Sequence, residues 1–166
     1  GFPHSVVQQA RTHRVGISFD VQSMRYTGKR VAAVATGKLG VEDVFYFRSV
    51  GNYADRFGKK YAYSKKMRET DLQVAKQMAT IYGYKLLEGF AEEHARGMLP
   101  FDYRQNFVLT FNLRSAMHFL DLRSKLDAQS EIIDLCNLLV PVLQQWAPEV
   151  INWYIEKRLG RARLSP

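Results

Sequence analysis

The sequence has few of the residues and patterns on which several common kinds of protein depend. It contains one cysteine, Cys136, which excludes an internal disulfide and a cysteine-based zinc cluster. The apolar residues around it, 132–139, predict a buried thiol that behaves as a small hydrophobic side chain in a reducing compartment. No apolar run approaches the roughly 18 residues of a membrane-spanning helix. The start, GFPHSVVQQ, lacks the basic and apolar regions of a signal peptide, so we expect a cytoplasmic protein.

Several catalytic and cofactor motifs are also missing. The sequence has neither GxGxxG nor GxxxxGK[ST], so neither a Rossmann fingerprint nor a P-loop is predicted. It has no HExxH and no Cys/His array, and we expect no metal. No GxSxG motif appears, and no serine has an evident His-Asp partner, so hydrolysis by a triad is not predicted.

The composition is that of a folded, basic domain. Hydrophobic residues make up 46% of the chain, and we predict one domain over residues 1–166. The formal net charge is +8, which favours anionic ligands such as nucleic acid or nucleotide phosphates. Part of this charge lies in Lys59-Lys60, Lys65-Lys66 and the basic residues of 157–163. Solvated surface is the simplest interpretation of such clusters.

The apolar spacing predicts an α+β chain dominated by helices. The expected helices are residues 3–12, 69–96, 113–123, a segment capped by Asp127 and kinked at Pro141, and 148–160. Residues 107–111 predict a strand. We expect loops with short strands over residues 27–66, with 44–48 (VFYFR) the best strand candidate. On the long helices we expect buried faces at 74, 78, 81, 82, 86 and 90, at 132, 135, 136, 139 and 143, and at 150 and 153–155.

The segment THRVGISFDVQSMRY, residues 12–26, concentrates polar groups at both of its ends. Arginines recur farther along the chain, and arginine binds phosphates and carbonyl edges through two parallel hydrogen bonds. The pattern therefore indicates a site for a phosphorylated, carbonyl-bearing ligand, with surface salt bridges as the alternative. A cation beside His13 should lower its pKa and favour hydrogen bonding over base catalysis. No base lies near Ser23 in sequence, so Ser23 is predicted to bind ligand rather than to act as a nucleophile.

Three blocks of the sequence resemble, in order, those of the flavin-dependent thymidylate synthases, the ThyX family. The first is Thr12-His13-Arg14, eight residues, then Ser23-Met24-Arg25-Tyr26. The second is ARGMLP at 95–100, and the third is NLRSAMHFLDLR followed by DAQSEI within 112–132. The resemblance covers nearly all of the chain and is weakest over residues 27–66 and the last twenty residues.

The resemblance implies a helix-rich ThyX-like fold with a small antiparallel sheet, in a homotetramer whose subunits share active sites. It implies the reductive methylation of dUMP to dTMP, with FAD as cofactor and NADPH and methylenetetrahydrofolate as co-substrates. No enzyme nucleophile attacks uracil in this family. The family usually has several dozen residues before the first block, and we expect that N-terminal part of the domain to be absent from this sequence.

Site residues are implied position by position. Arg123 is the implied catalytic residue, at the uracil edge. The implied dUMP-binding residues are Gln9, Thr12, Gln22, Ser23, Met24, Arg25, Arg96 and Arg123. The implied FAD-binding residues are Thr12, His13, Arg14, Asn112, Arg114 and His118. Thr12 stands where the family usually has arginine, Asp20 where asparagine and Val21 where glutamate are common, and His118 where asparagine is frequent.

Two other functions fit parts of the sequence. A related enzyme that hydroxymethylates a pyrimidine nucleotide would retain Arg96 and Arg123 and have no need of NADPH. A basic nucleic-acid-binding module would account for the charge of +8, but it leaves the ordered blocks unexplained.

Overall fold

The structure, a computed structural model, describes residues 1–55 and 57–162. Its helices are α1 (His4–Ala10), α2 (Met24–Thr27), α3 (Lys29–Ala35), α4 (Val41–Val44), α5 (Lys65–Leu87), α6 (Glu92–Ala95), α7 (Leu113–Arg123), α8 (Ser130–Trp146) and α9 (Pro148–Lys157), with a 3₁₀ turn at Arg96–Met98. Its strands are β1 (Phe2–Pro3), β2 (Ile17–Val21), β3 (Gly51–Ala54), β4 (Lys60–Tyr63), β5 (Arg104–Gln105) and β6 (Phe107–Phe111). The helix-rich α+β class predicted from the sequence is confirmed. In this part of the chain no helix is both long and apolar enough to cross a membrane.

The strands form small sheets rather than one larger one. The described residues contain three two-stranded sheets, which pair β1 with β5, β2 with β6 and β3 with β4. β1 and β5 are antiparallel, with Phe2 opposite Gln105. In the β2–β6 pair, the amide of Gln22 donates to the carbonyl of Asn106 at 3.0 Å, and the amide of Asn112 donates to the carbonyl of Gly16 at 3.0 Å. The residue after β2 is thus bonded to the residue before β6, and the residue before β2 to the residue after β6. The two strands therefore run antiparallel.

The chain folds into two compact units. The first comprises Gly1–Val7, Asp20–Tyr53 and Lys60–Val108. Its core lies where α3 packs on α5, and its buried members include Val31, Val34, Ala75, Ala79 and Tyr82. Small residues on α5 allow this packing to be close, since a Cβ placed on Gly83 would lie 3.6 Å from the Cβ of Ala35.

The second unit comprises Gln8–Phe19, Ala54–Lys59 and Leu109–Pro166. Within it α7 packs on α8, and α8 on α9. A buried carboxylate ties α7 to α9: the Tyr154 hydroxyl donates to Asp121 at 2.9 Å, and the Arg158 Nε donates to it at 2.9 Å. Cys136 is fully buried here, and burial raises the pKa of its thiol to about 11. The prediction of a buried thiol is therefore confirmed.

Several predicted elements differ from the structure. Residues 29–35 form α3, not a loop. Residues 44–48 are not a strand: Val44 ends α4, and the buried Phe45 makes a single antiparallel bridge with Tyr103. The long helix starts at Lys65, capped by the Ser64 hydroxyl, and ends at Leu87, before Gly89 at φ +84°. The cap of α8 is Gln129, not Asp127, and α9 ends at Lys157 rather than 160. The helix α8 continues through Pro141.

The buried faces were predicted with unequal success. On α8 four of the five positions are buried, and Leu139 is half-buried. On α5 Tyr82 is buried as predicted, but Val74 is 47% exposed, and the residues buried with Tyr82 are Ala75 and Ala79. On α9 the buried pair is Ile151 and Tyr154, whereas Val150 and Trp153 are exposed.

Candidate functional site

The predicted site residues of the second unit meet around one arginine. Arg123 is the last residue of α7, and it donates to a segment that begins in α1. Its Nε donates to Nε2 of His13 at 2.9 Å, and its Nη2 donates to Oγ1 of Thr12 at 2.8 Å and to the carbonyl of Gln9 at 3.3 Å. We call Gln9, Thr12, His13 and Arg123 the Arg123 cluster. Gln9 lies in the last turn of α1, which ends at Ala10. Its carbonyl accepts from the amide of Thr12 at 3.3 Å and can also accept from the guanidinium.

His13 is held as a neutral acceptor. Its ring is buried, with 8% of its surface exposed, and it lies edge-on to Phe119 at 4.9 Å and to His118 at 5.9 Å between ring centroids. Burial, then Arg123 and His118, lower the pKa of His13 to about 4. Because Nε2 accepts a hydrogen bond, the proton of the neutral ring belongs on Nδ1. The predicted lowering is confirmed, but its causes are burial and Arg123 rather than the sequence neighbour Arg14.

The turn between the two motif segments is built on a close contact. Gly16 adopts φ +64°, and a Cβ there would lie 2.0 Å from Nδ2 of Asn112 and 2.5 Å from Oγ of Ser115. Asn112 caps α7 by accepting from the amide of Ser115 at 2.9 Å, and the Ser115 hydroxyl donates to the carbonyl of Val15 at 2.7 Å. Glycine is therefore required at position 16 both by conformation and by space.

Three further predicted residues of this unit are exposed. Arg14, Arg114 and His118 all present their side chains to solvent. Arg14 and Arg114 have no acidic partner within residues 1–55 and 57–162. The second unit thus combines a half-buried, hydrogen-bonded arginine with exposed guanidinium groups that are open to an anion.

In the first unit the predicted residues gather where α2 packs on α6. Ser23 caps α2 by accepting from the amide of Arg25 at 3.3 Å. Arg25 forms an ion pair with Glu93 of α6 at 3.4 Å, with side chains 56% and 42% exposed. Arg96 caps the carboxyl end of α6 and is exposed. We call Ser23, Arg25, Glu93 and Arg96 the Arg25 cluster.

Met24 and Gln22 flank this cluster in different ways. The Met24 side chain is 6% exposed and belongs to the core of the unit, which leaves its backbone for any ligand. Gln22 is exposed; its carbonyl accepts from Nε2 of Gln105 at 3.2 Å. The position of Gln22 is thus set by Gln105 of β5 and by the hydrogen bond from its own amide to the carbonyl of Asn106.

A buried phenol lies beneath α2 in the same unit. The Tyr82 hydroxyl has no hydrogen-bond partner among the described residues, and a Cβ on Gly28 would lie 2.0 Å from it. Burial and then Glu92 raise the pKa of Tyr82, while Arg96 opposes the rise. Gly28 and Tyr82 therefore fix how closely the α2–α3 segment approaches α5.

Each unit thus assembles its own share of the predicted residues. The second unit contains Gln9, Thr12, His13, Arg14, Asn112, Arg114, His118 and Arg123, and the first contains Gln22, Ser23, Met24, Arg25 and Arg96. Sequence reasoning missed Glu93, Tyr82, Gly16, Ser115 and Gln129, whose side chain accepts from Nε2 of Gln9. Three of these lie inside or beside the quoted blocks: Gly16, Ser115 and Gln129. Glu93 and Tyr82 carry no such signal.

Comparison with known proteins identifies the family. Residues 1–149 match the Thy1 family, described as thymidylate synthase complementing protein. The flavin-dependent thymidylate synthase of Halobacterium salinarum is 36% identical over 173 residues, a match that covers 100% of this chain and 69% of that protein. The enzyme of the same name from Haloarcula marismortui is 32% identical, with the same coverage of each. The chain therefore belongs to the Thy1 family, which confirms the resemblance seen in the sequence.

A solved structure with the same fold supports the architecture. The UMP/dUMP methylase PolB from Streptomyces cacaoi, bound with 5-Br dUMP, matches with a TM-score of 0.77 over 98% of this chain and 70% of that one. The two sequences are 20% identical, so this likeness establishes the fold alone.

Proposed function

We propose that this chain is a flavin-dependent thymidylate synthase, which converts dUMP to dTMP by reductive methylation, and that residues 1–166 act as one catalytic domain. Two curated relatives of this name match the whole chain. The single observation that carries the proposal is the Arg123 cluster, in which an arginine is fixed by two hydrogen bonds to the first family block and a third to the carbonyl of Gln9. A structural arginine on a surface does not need such a set of acceptors.

The Arg25 cluster supplies the groups for the nucleotide phosphate. Arg25 and Arg96 are exposed cations, and Ser23 and Gln22 add a hydroxyl and an amide. Arginine recognises phosphate through two parallel charge-assisted bonds. The backbone of Met24, in the first turn of α2, adds an amide. We infer that these residues bind the phosphate of dUMP, and we propose Gln9, in the second unit, as a further dUMP-binding residue.

Arg123 is the proposed catalytic residue. Its guanidinium stays charged at any working pH, and its Nη1 has no protein partner among the described residues. Placed at the uracil carbonyl edge, it favours ionised N3 and so activates C5 towards the carbon donor. Stabilisation of such developing charge by a preorganised donor is typically worth about 2–4 kcal/mol. Positioning of dUMP then supplies much of the catalysis, and no nucleophile of the chain is involved.

The exposed groups of the second unit fit FAD. Arg14 and Arg114 are open to a diphosphate, while Asn112 and His118 add polar groups, and His118 stands against the ring of His13. We propose that these residues, with His13, hold FAD. The flavin, reduced by NADPH, supplies the hydride, and methylenetetrahydrofolate supplies the carbon.

We propose further that the protein is a cytoplasmic homotetramer with active sites shared between subunits. Two tryptophans, Trp146 and Trp153, are 60% and 55% exposed in the second unit. Large exposed aromatic side chains are enriched at protein interfaces. Sedimentation of the purified protein tests the assembly.

The test of the activity is direct. Purified protein should be yellow and release FAD, NADPH should bleach the flavin anaerobically, and dUMP with methylenetetrahydrofolate should yield dTMP. UMP belongs in the same assay, because PolB is a methylase of both nucleotides. Flavin that is not bleached by NADPH, with a hydroxymethylated nucleotide as product, would instead identify a hydroxymethylase. Strong, salt-sensitive DNA binding by a colourless protein would identify a nucleic-acid-binding module.

A further inference from the structure

The Thr12 hydroxyl occupies a junction in the Arg123 cluster. It donates its one proton to the carbonyl of Gln9 at 2.7 Å, and it accepts from Nη2 of Arg123 at 2.8 Å. The same Gln9 carbonyl accepts from Nη2 at 3.3 Å. Because the donated bond fixes the rotation of the hydroxyl, its lone pair is held towards the guanidinium before any ligand arrives.

The remaining contact fixes the other side of the guanidinium. Nε2 of His13 accepts from Nε at 2.9 Å, so the planar group is held along two adjacent edges. Nη1 is the nitrogen that these contacts leave for a ligand. A planar fork held at Nε and Nη2 can rotate little, so Nη1 has a defined direction.

We propose that Thr12 is a positioning residue that acts through Arg123, orienting its guanidinium for catalysis. This inference rests on the proposed function, because the residue that Thr12 orients, Arg123, is the one proposed to bind the uracil edge. It changes the role implied by resemblance, in which residue 12 itself contacts dUMP and FAD. With threonine in place of the usual arginine, this position supplies an acceptor for Arg123 instead of a second cation.

The experiment compares Thr12→Val, Thr12→Ser and Thr36→Val with the wild-type holoenzyme. Valine preserves the shape of threonine and removes the hydroxyl, whereas serine keeps the hydroxyl. Thr36 is the matched control, because it is exposed at the end of α3 and its hydroxyl donates to the carbonyl three residues earlier, at 3.1 Å, as Thr12 does. FAD content and far-ultraviolet circular dichroism monitor folding in each variant.

We expect kcat for dTMP formation to fall about tenfold in Thr12→Val, the usual worth of one hydrogen bond to a charged group. The KM for dUMP should change less than threefold, because a misplaced Arg123 chiefly loses stabilisation of the transition state. Thr12→Ser should recover most of the loss, and Thr36→Val should behave as wild type. A Thr12→Val enzyme with wild-type kcat would overturn the inference and leave the proposed function intact.

A second measurement separates a direct ligand contact from positioning. In an Arg123→Lys background, Thr12→Val should cause no additional loss of dUMP affinity by titration calorimetry, because two residues that act through one contact are not additive. An equal loss of affinity in both backgrounds would show that Thr12 binds the nucleotide itself and would overturn the inference.

A third measurement does not depend on turnover. Nitrogen-15 spectra, with Arg123 assigned by its loss in Arg123→Lys, should show resolved Nη resonances in wild type, Thr12→Ser and Thr36→Val. In Thr12→Val these should collapse as the guanidinium rotates. If the wild type makes no dTMP, the proposed function fails, and this spectrum still decides whether Thr12 orients Arg123.

Discussion

The two groups of arginines are built in opposite ways. In the Arg123 cluster the cation is half-buried and donates to a histidine, a threonine and a carbonyl. In the Arg25 cluster the side chains of the one ion pair are 56% and 42% exposed, and Arg96 is exposed with no acidic partner among the described residues. Fixed donors in dry surroundings stabilise developing charge best. Exposed cations suit the capture of a phosphate that is already charged.

The cost of each arrangement differs accordingly. Burial of the His13 ring, and then the neighbouring Arg123, lower the pKa of His13 to about 4, so the histidine stays neutral beside the guanidinium. An exposed ion pair remains solvated and contributes between about 0 and 1 kcal/mol to the free energy of unfolding. Mutations in the Arg123 cluster should therefore have large, specific effects, and those in the Arg25 cluster small effects that depend on salt.

The largest effect is expected for Arg123→Ala. Loss of the guanidinium should lower kcat for dTMP formation by roughly 100-fold or more, since an oxyanion-type donor is removed. FAD should remain bound and the fold intact. Arg161→Ala, at an exposed arginine of the same unit, is the control and should leave turnover unchanged. Wild-type turnover by Arg123→Ala would refute the catalytic assignment.

A second prediction concerns the packing beneath the Arg25 cluster. Gly28→Ala places a Cβ 2.0 Å from the Tyr82 hydroxyl and 3.2 Å from the carbonyl of Met24. We expect a loss of about 1–3 kcal/mol in the free energy of unfolding, measured with urea, because the buried ring cannot move freely. Gly97→Ala, with no atom within 4 Å of its Cβ, is the control.

The double variant with Tyr82→Phe tests the cause. Tyr82→Phe alone should be neutral or slightly stabilising, because the buried hydroxyl lacks a partner among the described residues. In that background Gly28→Ala should cost much less. If Gly28→Ala cost the same stability in both backgrounds, contact with the Tyr82 hydroxyl would not be the cause of the loss.

The third prediction is a pH dependence that originates in His13. The pKa of His13 is about 4 in the folded chain and about 6.5 when exposed. The unfolded chain therefore binds more protons between these values. Stability should be complete above pH 6.5 and decrease as the pH falls towards 4, by at most about 1.4 kcal/mol per pH unit.

The measurement is the urea midpoint at several pH values from about 7.5 to 4.5, a range that crosses the pKa of the unfolded chain and stops just above that of folded His13. His13→Gln retains an acceptor for Arg123 and cannot titrate, so its stability should vary less steeply with pH than that of wild type. His94→Gln, at an exposed histidine of α6, is the control. Parallel curves for wild type and His13→Gln would contradict the burial of a neutral His13.

Local sequence signals were sufficient to predict an element where a neighbouring residue marks its boundary. The predicted helix 113–123 and strand 107–111 agree with α7 and β6 to the residue, because Asn112 both ends the strand and caps the helix. The helix α3 was missed, since its sequence, KRVAAVA, is short and rich in valine. Its packing on Ala75, Ala79 and Gly83 of α5 depends on residues some forty positions away, and local propensity does not contain that information. The segment VFYFR has strong strand propensity, but its Phe45 is buried in the core of the first unit and pairs with Tyr103 through a single bridge only.

The same limit applies to the site. Thr12, His13 and Arg123 were each predicted from the family blocks, but the contact between His13 and Arg123 spans 110 residues. No spacing rule connects residues so far apart. The cause of the low pKa of His13 was therefore assigned to its neighbour Arg14, when the fold brings a different arginine to it.

The smallest effect is expected from Glu93→Gln, which frees Arg25 from its ion pair. The free energy of unfolding should change by less than about 1 kcal/mol, because the pair is exposed. The affinity for dUMP should rise about two- to threefold at low salt, since Arg25 no longer divides its charge between a carboxylate and the phosphate, and the gain should vanish at high salt as screening increases. Glu149→Gln, an exposed glutamate in the first turn of α9, removes the same charge from the other unit and should leave the affinity unchanged. An equal gain in both variants would mean that net charge, not release of Arg25, attracts the nucleotide, and the Arg25 cluster would lose its assignment as the phosphate site.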